Sequence, residues 1–196
     1  MRKLSKGDPH ETIKNFEGQQ EWTLSLSFHR TWREIILGVE QQGLSGYTEV
    51  PLKVDDSHID HFYKQSLFRD KVHSWDNLVV DTIDETYGAK YKDKHVKNET
   101  DNLKVINPVT EDPNYFFRYK VDGRIVSKDT LSEVERNRAD YTIDVFNLNE
   151  PSLVNRRKGL LSIDLNAFGD MSLDQLRTYL KDYGFPSVLE QMYKER

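Results

Sequence analysis

The stretch Asp55-Asp56-Ser57-His58-Ile59-Asp60-His61-Phe62, followed by Trp75-Asp76-Asn77-Leu78-Val79-Val80, decides how this chain is read. Asp55-Asp56-Ser57 is a turn signal. His58 to Phe62 reads as a short strand. Upstream, Tyr47 to Val54 has strand character interrupted by Pro51. Downstream, Asn77 to Tyr87 reads as a short helix stopped by Gly88. Strand, turn, strand, loop, helix is a ββα order, expected within residues 44–98.

The flanks are mainly helical. Residues 1–20 are polar and read as an arm lying on the body. From Trp22 to Gln42 the pattern is helical, with Trp32, Ile35, Ile36, Leu37 and Val39 as an apolar stripe and Gly43 as the stop. Together these make an N-terminal arm and helix over 1–43. Asn98-Glu99-Thr100-Asp101-Asn102 is a polar break. Tyr115 to Val121 and Arg124 to Val126, joined by Asp122-Gly123, read as a β-hairpin with a two-residue type I′ turn. Residues 130–148 and Pro151 to Leu161 read as helices. Ser172-Leu173-Asp174-Gln175 is a capping box for a helix ended by Gly184, and Pro186 opens the last one. The hairpin and C-terminal helices, 99–196, complete one compact domain of the α+β class.

Composition sets limits. The chain has 196 residues, 36% hydrophobic and 31% charged, and its 22 aromatic side chains (ten Tyr, nine Phe, three Trp) supply a core. Its net charge of −5 repels nucleic acid as a whole, so any such binding needs a local basic patch or a partner's. Zero cysteines exclude disulfides and thiolate metal sites. No apolar run reaches the length of a membrane span and the N-terminus lacks a signal-peptide core, so a cytoplasmic protein without membrane contact is expected.

An acid next to a histidine, with an asparagine sixteen residues beyond the histidine, resembles the residue order of an HNH nuclease finger. Phosphodiester hydrolysis needs an activated water and a counter-charge for the developing phosphorane. Imidazole serves as the base near neutral pH, and Mg²⁺ needs only one or two protein oxygens. The resemblance assigns His61 as base, Asp60 as metal ligand and Asn77 as the residue orienting the imidazole. His58 is a second candidate contact. Asp60 and His61, adjacent on a strand, point to opposite faces unless the strand twists or ends there. The bland alternatives are surface or core-edge histidines and a helix-capping Asn77.

Separated motifs extend the likeness over roughly residues 1–160. They are Met1-Arg2-Lys3-Leu4-Ser5-Lys6-Gly7, Ser45-Gly46-Tyr47-Thr48-Glu49, Ser57-His58-Ile59-Asp60-His61-Phe62, Trp75-Asp76-Asn77-Leu78, Ile106-Asn107-Pro108 and Asp122-Gly123-Arg124-Ile125. They resemble the bacterial HNH endonucleases that include the Septu anti-phage nuclease subunit and retron-associated HNH effectors. The resemblance implies a His-Me (HNH) ββα-metal finger embedded in a mainly helical domain. It implies a hydrolase cleaving nucleic acid, DNA in the first instance, with Mg²⁺ or Mn²⁺, inside an antiviral defence system and under the control of an ATPase partner.

The chain departs from that family at its zinc site. Ser45, Thr48, Thr82 and Glu85 stand where the family carries four cysteines. Hydroxyls are poor zinc ligands, so no structural zinc is expected. Packing through Tyr47, Trp75, Val79 and Tyr87 is expected to hold the finger instead. Thr86 stands where a helix-borne metal ligand belongs, and Asp84 or Glu85 is the candidate replacement. Lys90, Lys92 and Lys94, interleaved with Tyr91, read either as phosphate contacts or as a solvated loop. Arg156-Arg157-Lys158 is a second basic cluster, more in keeping with solubility. Three functions remain open: a DNA endonuclease, a catalytically degenerate docking or nucleic-acid-binding subunit, and an RNA-cleaving enzyme.

Overall fold

The computed structural model describes residues 1–16, 18–22 and 26–196, without the side chains of 26 and 27. At its centre is an antiparallel hairpin of β1 (Ser57–His61) and β2 (Leu78–Thr82), in the register His58↔Asp81, Asp60↔Val79 and His61↔Leu78. A sixteen-residue loop joins the strands, and helix α2 (Ala89–His95) follows. The ββα order is present, built from other elements than the sequence pattern predicts. Leu78 to Thr82 is strand, not helix, because β-branched residues in a fully buried run favour a strand covered on both faces. The Tyr47 to Val54 strand is absent: one bridge, Leu44 to Pro51, stands in its place. Glu49 turns the chain with φ +64, and Pro51 has no N–H to offer a ladder.

Both faces of the hairpin are covered. Val79 joins a large core running from Met1 to Leu189 through all three expected segments. Leu78 and Val80 face a second cluster with Trp32, Ile36, Leu37 and Trp75. Helix α1 (Leu26–Ile35) supplies this second face and continues as a π-helical turn, Ile36–Glu40, with Gln41 N–H bonded to the Ile36 carbonyl. The wider turn shifts the apolar stripe, so Val39 points to solvent, 75% exposed, while Leu37 is buried.

Beyond the finger come α3 (Glu99–Lys104), α4 (Pro113–Phe116), and a second hairpin of β3 (Phe117–Tyr119) and β4 (Ile125–Ser127). Then follow α5 (Glu133–Val145), α6 (Pro151–Leu161), α7 (Leu173–Tyr179) and α8 (Pro186–Lys194). The expected polar break at 98–102 is the start of α3, whose N-terminus Asn98 caps. Asp122-Gly123 closes the second hairpin through a three-residue loop, not a type I′ turn. Gly123 has φ +89, and a Cβ there would lie 2.3 Å from the Val154 carbonyl.

Two-stranded hairpins leave open edges, and here carboxamide side chains close them. Gln41 accepts from Val80 N–H (2.8 Å) and donates to the Val80 carbonyl (2.7 Å). Gln191 does the same at Tyr119 on β3, and Asn149 at Ile125 on β4. Each amide matches the donor and acceptor of one strand residue, so a single side chain replaces a missing strand.

Candidate active site of the ββα finger

Asp60 and His61 are both buried, on opposite faces of β1. Asp60 looks toward α2 and the large core. Its Oδ2 accepts from the Lys92 ammonium at 2.6 Å and from the Tyr47 hydroxyl at 2.6 Å. Lys92 is completely buried and also donates to the His61 carbonyl (2.8 Å) and, more weakly, the Phe62 carbonyl (3.4 Å). The Asp93 carboxylate lies 3.6 Å away. Two carboxylates and two carbonyls therefore surround one ammonium. Ala89, Lys92 and Val96 share one side of α2, and all three are buried. Lys92 is thus an internal counter-ion and not the phosphate contact expected of it.

His61 lies on the other face, 6% exposed, with Nε2 donating to the Val72 carbonyl at 2.9 Å. Burial lowers its pKa from 6.5 to about 4, against the opposing pull of Asp60. Trp22 stands edge-on to it at 4.6 Å and is itself stacked between His29 (4.3 Å) and His73 (5.3 Å). Phe16 stacks on His73 in turn. The N-terminal arm thus covers the imidazole.

Asn77 makes no side-chain hydrogen bond to His61. Its Oδ1 accepts from Tyr63 N–H (2.7 Å) and its amide donates to the carbonyls of Tyr63 and Lys71. It ties the two ends of the loop between β1 and β2, while Asn102 holds the loop's start through Lys64 N–H and the Phe62 carbonyl. His58 shares the Asp60 face, half-buried, with Nδ1 unpartnered. Burial depresses its pKa.

The positions expected to have lost zinc divide. Ser45 donates to Asp81 Oδ1, and Thr48 donates to Ser45 Oγ through its hydroxyl (2.8 Å) and its N–H (2.9 Å). Asp81 Oδ2 accepts Ala89 N–H at 2.6 Å, in the first turn of α2. Asp81 was not singled out from the sequence, yet it is the hub that joins the Ser45 turn, β2 and α2. Burial, the dominant influence, raises its pKa from 3.8 to about 7. Gly88 has φ +74 and leaves no room for a side chain, because a Cβ there would fall 2.2 Å from Asp81 Oδ2. Thr82 Oγ1 only accepts the nearby Asp84 N–H. Glu85 lies on the surface, paired with Lys94 at 2.8 Å, and is not a metal ligand beside Asp60. Asp84 accepts from Thr86 in a local turn. Tyr47, Trp75, Val79 and Tyr87 are all buried.

The lysine row is therefore broken up: Lys92 is internal, Lys94 is paired with Glu85, and half-buried Lys90 has no partner among the described residues. The second basic cluster also splits, since Arg157 is buried and donates to the Gly123 and Leu148 carbonyls. Among the described residues, no three His, Asp or Glu side chains converge on a point that a metal ion would take. The residues present do not fit a catalytic Mg²⁺ or Mn²⁺ at Asp60, because an ammonium and a phenol hold its Oδ2. No helix of the described chain is long and apolar enough to cross a membrane. Compared with known proteins, the chain matches no family model and no curated protein.

Proposed function

We propose that this chain is a ββα-finger protein in which a built-in ammonium has taken the place of the catalytic metal, and that it acts as a non-catalytic binding subunit. The observation that carries the reading is the fully buried Lys92–Asp60 pair at 2.6 Å. A lysine held by a carboxylate and two carbonyls supplies the positive charge that the strand-end acid demands, but it has no open position for substrate oxygen or water. His61, shielded by Trp22 and with a depressed pKa, is a weak base for water activation. In this reading the defence-system ATPase implied by the resemblance is the partner that the subunit serves.

A second reading, the metal-dependent HNH endonuclease acting on DNA, is favoured by one feature. Asp60 faces the helix of a ββα unit, as a finger's metal ligand does. Incubation of plasmid DNA and total RNA with the wild type and with His61→Ala separates the two readings. The assay is run in Mg²⁺, Mn²⁺ or EDTA. The expected result is no metal-dependent product from either folded protein. Metal-dependent cleavage that vanishes in His61→Ala would replace the binding-subunit reading with the nuclease; RNA as the only substrate cut would make it a ribonuclease.

A further inference from the structure

Outside the finger, a cleft of about 450 Å³ lies between the N-terminal segment, the turn at Gln42 and the two last helices. Its size is that of a small-molecule site. Four cationic side chains line it, Arg2, Lys3, Arg177 and Lys181, against one carboxylate, Glu190. This concentration of positive charge stands out in a chain whose net charge is −5. The rest of the wall mixes apolar side chains, Leu44, Leu180, Pro186 and Leu189, with amide and hydroxyl groups.

These cations are unevenly neutralised: Lys3 donates to the Val109 carbonyl at 2.6 Å and Arg177 touches two carboxylates, whereas Arg2 and Lys181 are less well matched. Arg2 is half-buried, donates through Nη2 to the Gln41 carbonyl, and has no partner for Nε. Burial lowers its pKa, opposed by Glu49. Glu49, though, is already committed, at 2.6 Å to the Met1 ammonium and by hydrogen bonds to Ser187. Arg177 reaches Glu190 only at 3.5 Å, and its shorter contact, 3.0 Å, is with exposed Asp174. Lys181 makes no hydrogen bond or ion pair through its side chain among the described residues.

We propose that this cleft binds a phosphate monoester carried on a small organic group with an apolar face. Three separate cationic donors, Arg2, Arg177 and Lys181, match the three terminal oxygens of a monoester better than the two of a carboxylate. Guanidinium forks suit phosphate in particular. The leucine and proline wall receives the organic body. The proposal does not depend on whether the finger is catalytic.

The test is NMR-monitored titration of the labelled full chain with inorganic phosphate, ribose 5-phosphate, adenosine 5′-monophosphate, adenosine and adenosine 5′-carboxylate. Arg177→Gln and Lys181→Gln are titrated in parallel. Both positions are exposed, so the fold is retained. The monophosphate should shift cleft resonances most tightly, followed by ribose 5-phosphate and then phosphate, with adenosine inert. Each substitution should weaken binding about tenfold, the scale of one charge-assisted hydrogen bond. Silence toward every phosphate compound at millimolar concentration would overturn the proposal. So would equal affinity for the carboxylate, or affinity unchanged in both variants.

Discussion

Asp60 and Asp81 lie on the same face of the central hairpin, both buried, and the fold treats them in opposite ways. Asp60 is matched by a charge: the Lys92 ammonium sits 2.6 Å away with no exposed surface. Asp81 is matched only by hydrogen bonds, from the Ser45 hydroxyl and the Ala89 N–H, and none of its hydrogen-bond partners is a cation. In the reading proposed above, the first place is where the resemblance puts a catalytic metal and the second where it puts two of the four structural-zinc ligands. An ammonium can replace a dication beside one carboxylate, provided the helix puts a lysine on its buried side. A hydroxyl-and-carboxyl knot can replace a thiolate site, but it leaves a carboxylate without a counter-charge. A proton relieves that carboxylate, which is why its pKa climbs to about 7.

Breaking the first solution should have the largest effect. Lys92→Met strands Asp60 as an unpaired buried charge, with an expected loss of about 3–5 kcal/mol in urea unfolding. Asp60→Asn combined with Lys92→Met should recover part of that loss, with a coupling of roughly 2 kcal/mol in a double-mutant cycle. A cycle that closes without coupling would contradict the pair's role.

The second solution is sharpened by pH. Asp81 titrates at about 7 in the folded protein and near 3.8 when unfolded. Below pH 3.8 both states hold the proton and no penalty exists. As pH rises to 7 the unfolded chain ionises first, so stability falls by about 1.4 kcal/mol per unit and then levels off. Asp81→Asn lacks this slope. Its stability relative to wild type should therefore rise by about 3 kcal/mol between pH 5 and pH 8, read from denaturant midpoints. His61 works in the other direction: its folded pKa of about 4 lies below 6.5, so stability is lost as pH falls between those values. Asp81→Asn should expose that acid loss, which Asp81 offsets in the wild type. Parallel pH profiles for the two proteins would remove Asp81 from this role.

Smaller again is the removal of an edge clip. Gln41→Leu leaves the Val80 N–H and carbonyl without their side-chain partner, at a cost of about 2 kcal/mol, with hydrogen exchange at Val80 accelerating first. Smallest is Glu85→Gln, which touches only an exposed pair with Lys94 and should leave the melting temperature unchanged.

Local rules were legible in particular residues. Ser172 with Gln175 forms the capping box read from the sequence and Pro186 opens α8, but α7 stops at Tyr179, and Gly184 ends a separate 3-10 turn, Lys181–Tyr183. The central hairpin was misread: a strand was expected at 47–54 and a helix at 77–87, where the structure has one bridge and the strand β2. Leu78-Val79-Val80 carries no amphipathic period, and short apolar runs do not distinguish a doubly covered strand from a helix. Lys92 looked like a member of a basic row with Lys90 and Lys94, since spacing along a sequence does not state which side of a helix meets the core. Asn77 looked like a partner for His61 and instead holds Tyr63, because a loop's own backbone needs are invisible until its ends are brought together.

The sequence by itself determined the absence of thiolate ligands, the α+β class, the capping box of α7 and the proline start of α8, and the Asp60–His61 alternation that sends the two side chains apart. All of these follow from residue chemistry or from backbone geometry over a few positions. Tertiary structure alone decided that Lys92 meets Asp60, that Ser45, Thr48 and Asp81 close one knot, that Trp22 covers His61, and that four cations face one cleft. Each of these joins groups far apart in the chain. Their charge states and partners are set by desolvation and by which oxygens remain free to accept, neither of which exists before the core closes.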